Sequence, residues 1–236
     1  MDPLAKMQEV LETSTHIFNG RIEVLTPSVE VIGTAADGEL MMRHLEAAIR
    51  TAYKSEDKIG PGSHEKIIAH ILSLKHESTL EHCGLSFRCV TNRGVSHELV
   101  RHRLASYTQE STRYVNYGKR PPQVILPWHL CQRDQEEKEF WYNGHEKIIQ
   151  YYLDALKLGW KPQDARGFLP NDLKTEIVMT MNLRALRHFF KLRTAAAAHP
   201  DMQVMARKMF QLAYGILPLI FQDIQNDISD LIGFVA

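Results

Sequence analysis

The chain has 236 residues, 44% of them apolar and 24% charged, with 28 basic side chains balanced by 28 acidic ones. That is the profile of a soluble globular protein with a real core, and it excludes a disordered chain. A formal net charge of zero leaves no global basic field for nucleic acid or an anionic membrane, so any anion must be held by a local cluster.

In chain order, Met1 to Asn19 mixes acidic and polar residues and lacks the apolar centre of a secretory signal. Ile22 and Val24 alternate with polar neighbours, and Val29 to Ile32 is apolar and β-branched, which predicts two early strands. Helical periodicity follows over Leu40 to Tyr53 and Ser63 to Leu74. Leu85, Phe87 and Cys89 recur with a period of two and predict a third strand. Ile148, Ile149, Tyr152 and Leu156 share a helix face that Gly159 should stop. The β-branched run from Lys174 to Met181 reads as a strand. Asn182 is a good N-cap for a helix over Leu183 to Arg193. Met205, Met209, Leu212 and Ile216 form a last stripe, ended near Pro218. Strands and helices mix without βαβ alternation, which predicts an α+β fold rather than a doubly wound sheet.

No apolar run approaches the roughly 20 residues of a membrane span. Three cysteines, Cys83, Cys89 and Cys131, are too few for a disulfide framework, so a reducing cytoplasm is expected. His64-Glu65 with His70, and His76 with His82, have the wrong spacing for a zinc site, and no metal is expected. No glycine-rich phosphate loop occurs. The pentapeptide His64 to Ile68 returns at His145 to Ile149 but extends no further, so it is not a repeat.

The densest chemistry lies between Arg101 and Tyr114: Arg101, His102 and Arg103, then Ser106, Thr108, Gln109, Glu110, Ser111, Thr112 and Arg113. Arginine presents a planar fork of donors that matches phosphate, and serine hydroxyls complete such a cradle. A solvated basic patch with ion pairs to Glu98 and Glu110 is the plainer alternative for these residues. Further on, Leu186, Phe189, Phe190 and Arg193 fall on one helix face. An arginine in line with buried residues needs a partner, unless it snorkels at the helix C-terminus. Arg184 and His188 share a different face and could serve one ligand.

Arg101-His102-Arg103, seven residues and then Ser111, with Arg113-Tyr114 beyond, resembles the signature of the flavin-dependent thymidylate synthases. His76-Glu77-Ser78-Thr79-Leu80-Glu81-His82 resembles the block that precedes it in that family. Downstream, Arg166 before Leu169-Pro170, then Asn182-Leu183-Arg184, His188 and Arg193, continue the resemblance, which runs from about Leu40 to about Ile216. The chain departs from common family patterns at Glu98, at Thr108-Gln109 and at Ala198-His199.

The resemblance implies one catalytic domain over 21–236, a mixed or antiparallel sheet with flanking helices, after an N-terminal extension over 1–20. The default for that extension is a frayed or swapped end. It also implies reductive methylation of dUMP to dTMP, with 5,10-methylenetetrahydrofolate as carbon donor and NADPH supplying hydride through FAD. Arg193 would be catalytic. FAD would be held by His76, Ser78, Arg101, His102, Arg103, Gln109, Asn182, Leu183, Arg184 and His188. The dUMP site would comprise Glu98, Leu99, Val100, Arg101, Gln109, Glu110, Ser111, Thr112, Arg113, Arg166 and Arg193. Ser111 would position phosphate rather than act as a nucleophile, since no base is indicated beside it. A homotetramer with shared active sites is implied, with neither nucleic acid nor membrane as partner. An FAD- and nucleotide-binding homologue without turnover is the alternative.

Overall fold

A computed structural model describes residues 2–33 and 37–229. It is α+β, with six strands and nine α-helices among the described residues. The helices are α1 (Pro3–Thr13), α2 (Gly38–Tyr53), α3 (Ser63–Ser73), α4 (Arg93–Leu99), α5 (Gln135–Lys157), α6 (Pro162–Ala165), α7 (Leu183–Arg193), α8 (Pro200–Ile216) and α9 (Pro218–Ser229). The strands are β1 (Glu23–Leu25), β2 (Ser28–Ile32), β3 (Gly84–Asn92), β4 (Ala105–Gln109), β5 (Gln123–Ile125) and β6 (Lys174–Asn182). Short 3₁₀ turns include Glu77–His82 and Arg166–Phe168.

The chain divides into two compact units. The first comprises Met1–Ser28, Cys89–Arg101 and Thr108–Ile177; the second comprises Val29–Arg88, His102–Tyr107 and Val178–Ala236.

In the first unit, β1 pairs in parallel with β5, Val24 opposite Val124. Helix α5 starts on an Asp134 cap, whose carboxylate accepts from the Glu137 N–H, with Glu136 and Glu137 in the first turn. Acidic residues there complement the partial positive charge of the exposed N–H groups. The helix ends as the sequence requires. Gly159 takes φ +88°, its N–H bonds the Leu156 carbonyl, and the Trp160 N–H bonds the Ala155 carbonyl. That double closure needs the left-handed residue that glycine adopts without strain. One face of α5 buries Tyr152 and Ala155 with Tyr117, Ala165 and Leu173.

The four-stranded sheet has the strand order β2-β3-β6-β4. Gly84 permits a close approach in this sheet, since a Cβ there would lie 2.5 Å from the Met181 carbonyl oxygen. The helical core is aromatic. Phe190 meets Phe189, Phe210 and Phe221 edge-on at centroid distances of 5.5, 5.3 and 5.6 Å. Each of these rings is almost wholly buried and contributes roughly 1.5–3 kcal/mol of burial free energy.

The strands read at Val29–Ile32, Leu85–Cys89 and Lys174–Met181 are present, as is the Asn182 cap, whose Oδ1 accepts from the Ala185 N–H at 2.8 Å. The N-terminus differs from a frayed end. Pro3 and an Asp2 cap start α1, and Met7 and Val10 are buried. Strand β4 and helix α4 lie in polar sequence that carries no strong period, and α5 begins well before its readable apolar face.

Candidate active site

In the first unit the site is built on a turn. Strand β4 ends at Gln109, and the Tyr114 and Val115 N–H groups both donate to the Ser111 carbonyl, at 3.2 and 2.9 Å. The Ser111 hydroxyl accepts from the Arg113 N–H at 3.3 Å, and Thr112 is buried. Arg166, on the 3₁₀ turn after α6, reaches back and donates from Nη1 to the Thr112 hydroxyl at 3.5 Å. Its neighbour Ala165 is fixed in the core beside Tyr152 and Leu173. Arg113 is exposed, its guanidinium 5.5 Å from the Tyr114 ring centroid. Two hydroxyls and two arginines thus gather around one turn, a donor set suited to a phosphate.

Residues flanking this turn have other work. Gln109 directs its amide inward, donating to the buried Ser96 and Thr175 hydroxyls at 2.8 and 3.1 Å. The Glu110 carboxylate is taken by Tyr117, Lys174 and the Glu176 N–H. Both are expected to touch ligand, and their side chains tie the turn to the protein. Leu99 is fully buried and its side chain belongs to the core, whereas Val100 and Arg101 are exposed at the end of α4 and Glu98 is half-buried there.

In the second unit, Leu186, Phe189 and Phe190 are fully buried, and Arg193 ends their stripe half-buried, as the spacing predicts. Its Nε donates to His102 Nε2 at 2.8 Å. His102 also meets Phe189 edge-on at 4.9 Å. Burial, then the charges of Arg193 and His188, lower the His102 pKa to about 4. The imidazole is therefore neutral at pH 7, which leaves Nε2 as an acceptor and places the proton on Nδ1.

Arg103, Arg184, His188, His76 and Ser78 are exposed. Arg184 reaches Glu81 at 2.5 Å. Leu183, expected to contact cofactor, is wholly buried, so its side chain packs the core. Between His76 and Ser78 lies Glu77, whose carboxylate is held by the buried Arg187 at 2.9 Å; Arg187 also binds Asp223 at 2.7 Å. The residue test applied to Arg193 would have found Arg187 too, because it sits among Leu183, Leu186 and Phe190. His199 caps α8 with its ring nitrogen, which explains a histidine at that position.

An open cavity of about 510 Å³ in this unit is lined by Glu81–Gly84, Leu104–Ser106 and Thr180–Asn182. It adjoins the Arg-His-Arg turn in sequence, and Leu104 enters it with φ +64°. A β-carbon-bearing residue in that conformation is uncommon and marks a constrained backbone. Cys83, Ala105 and Met181 give it apolar surface, and Glu81, His82, Ser106, Thr180 and Asn182 line it with polar side chains.

Fold and site together define an α+β protein with an arginine-flanked turn suited to a phosphate in its first unit and an arginine bonded to a neutral histidine in its second. The sequence pattern of the thymidylate synthase complementing protein family matches residues 40–219. The chain belongs to that family. It is 36% identical over 173 residues to the flavin-dependent thymidylate synthase of Geobacter sulfurreducens, covering 71% of this chain and 72% of that one. It is 37% identical over 161 residues to the enzyme of the same name from Pyrococcus furiosus, covering 67% and 66%. Among solved structures, a UMP/dUMP methylase PolB from Streptomyces cacaoi bound with 5-Br dUMP shares the fold, with a TM-score of 0.70 at 23% identity over 87% of this chain and 97% of that one.

Proposed function

We propose that this chain is a flavin-dependent thymidylate synthase, methylating dUMP at uracil C5 with the one-carbon unit of 5,10-methylenetetrahydrofolate. Bound FAD would relay hydride from NADPH, and that redox chemistry is the cofactor's own. The observation that carries the reading is the Ser111–Arg113 turn with Arg166 bonded onto it, a phosphate-sized donor set within a family whose named relatives make thymidylate.

The chain's residues have separate tasks. Ser111, Thr112, Arg113 and Arg166 hold the nucleotide phosphate. Arg193 lies against the uracil and stabilises negative charge spreading over N3 and its carbonyls, without losing a proton of its own. Neutral His102 fixes the Arg193 fork by accepting from Nε. Arg101, Arg103, Ser78, Asn182, Arg184 and His188 hold FAD, with His76 near its ring. Residues 21–236 act as one catalytic domain, assembled as a cytoplasmic homotetramer with shared sites.

The test is the visible spectrum of the purified protein supplied with FAD, before and after anaerobic NADPH, with and without dUMP. A flavin spectrum that bleaches with NADPH at a dUMP-dependent rate, followed by dTMP formation on adding methylenetetrahydrofolate, is expected. Flavin binding without dTMP would instead favour a homologue that binds but does not turn over. No flavin binding would end the reading.

A further inference from the structure

We infer that Glu110 and Lys174 are positioning residues for the phosphate turn: their ion pair makes the chain leave the sheet at Ser111 and so sets where Ser111, Thr112 and Arg113 present their donors. This rests on the reading of that turn as the nucleotide phosphate site.

The backbone supports it first. Strand β4 ends at Gln109, yet the Glu110 N–H still donates to the Glu176 carbonyl at 2.8 Å, as one more rung beside β6. The returning rung is different. The Glu176 N–H is accepted by the Glu110 side chain, at 3.2 Å, where a regular ladder would use a main-chain carbonyl. A carboxylate that satisfies this donor lets the following backbone turn away without leaving a buried N–H unpaired. The next residues do turn away, with two N–H groups closing onto the Ser111 carbonyl.

The side chains then lock the rung. The other oxygen of Glu110 accepts from the Tyr117 hydroxyl at 3.0 Å, while Oε2 also takes Lys174 Nζ at 3.2 Å. Lys174 donates in addition to Glu176 at 2.6 Å. The Lys174 and Glu110 side chains are mostly shielded, at 14% and 17% exposure, so their attraction is less screened than that of a surface pair. Tyr117 is buried against Tyr152 and continues from the far end of the same turn. The segment from Gln109 to Tyr117 is therefore pinned at both ends: Gln109 on Ser96 and Thr175, and Glu110 on Lys174, Glu176 and Tyr117.

Charge excludes the simpler role. A carboxylate turned toward a phosphate would repel it, and this one is already supplied with three donors. Lys174 is likewise spent on two carboxylates and is not a phosphate ligand. Both act through the turn.

The experiment titrates the FAD-loaded protein with dUMP by calorimetry, for the unaltered chain, Lys174→Met, Lys174→Arg and Glu110→Gln, with FAD affinity measured in parallel. The expected result is dUMP binding weakened about tenfold in Lys174→Met and Glu110→Gln, the order of one lost charge-assisted hydrogen bond. FAD affinity should be unchanged, and Lys174→Arg, which keeps a cation, should bind dUMP to within about threefold of the unaltered chain. Unchanged dUMP binding in Lys174→Met would overturn the inference, as would an equal fall in FAD affinity, which marks general damage. If the unaltered FAD-loaded chain binds no dUMP, the functional reading fails and takes the inference with it.

Discussion

Arg193 donates from Nε to Nε2 of His102 at 2.8 Å, so a neutral imidazole orients the cation proposed to face the uracil. An uncharged acceptor orients the fork without itself cancelling the charge that would stabilise a developing anion. Lysine cannot reproduce this, because it has no Nε–H to give while keeping a planar donor pair forward. Arg193→Lys is therefore expected to lower turnover by about 100-fold or more, a loss on the order of 3 kcal/mol. FAD should still bind. Rates of dTMP formation beside flavin titrations check this, and near-normal turnover in Arg193→Lys would remove Arg193 from the chemistry.

His102 also predicts a pH dependence of stability. Its pKa falls from the ordinary value of 6.5 to about 4 in the folded chain, through burial first and then the charges of Arg193 and His188. The unfolded chain therefore binds more protons between these values, and linkage makes folding stability rise with pH across that window. The penalty is absent above about pH 6.5, grows as pH falls, and is complete below about pH 4. Discounted for the partial exposure of the ring, it is on the order of 1–2 kcal/mol. Urea unfolding of the unaltered chain and of His102→Asn at pH 5 and pH 8 isolates it. The difference in stability between the two proteins should shift toward the variant at pH 5; a difference that does not move with pH would contradict a neutral His102 imidazole.

Arg187 is expected to be the costliest charge to remove in the second unit. Its guanidinium meets Glu77 at 2.9 Å and Asp223 at 2.7 Å, bonds the Ile220 carbonyl, and is 6% exposed. Burial opposes its charge, but the Asp223 and Glu77 carboxylates outweigh it and raise its pKa. Arg187→Met leaves Glu77 and Asp223 without this partner and should cost about 3–5 kcal/mol. Because Glu77 lies between His76 and Ser78, FAD affinity should fall as well. The more exposed Asp223→Asn keeps the fold and tests the same link: it should lower the urea midpoint by a smaller step, since Glu77 still holds Arg187. Equal effects of the two substitutions would mean that Glu77 contributes nothing to the clamp.

Much of this was legible in the sequence where a strong period or a capping residue was present. The alternation at Leu85, Phe87 and Cys89, the Asn182 cap and the stop at Gly159 each follow from one local rule. The partner required by Arg193 could be deduced as a need, and the structure supplies His102, 91 residues earlier in the chain. What sequence reading missed depends on distant pairings. Glu110 and Gln109 stand inside the recognisable motif and read as ligand residues, and no local rule discloses that their side chains bond Lys174, Thr175 and Ser96. Strand β4 alternates half-buried and exposed positions and is mostly polar, and so carries almost no hydrophobic signal. Helix α1 was missed because only Met7 and Val10 are buried along it.

Leu104 offers the sharpest test of the backbone between Arg103 and β4. It holds φ +64° while the residue is 80% exposed, so the conformation is not imposed by burial of leucine. The left-handed region costs a β-carbon-bearing residue roughly 1–2 kcal/mol. Glycine removes that cost but loosens the unfolded chain, which offsets about 0.4–1 kcal/mol of the gain. Leu104→Gly should therefore be neutral to slightly stabilising in urea unfolding. Leu104→Val keeps an apolar side chain but adds a β-branch that the left-handed region tolerates poorly, and should lose about 1 kcal/mol or more relative to leucine. Opposite signs for the two substitutions would locate the strain in the backbone. If valine were as stable as leucine, the turn would have to adopt an ordinary φ in solution, and His102 would then have no fixed path to Arg193.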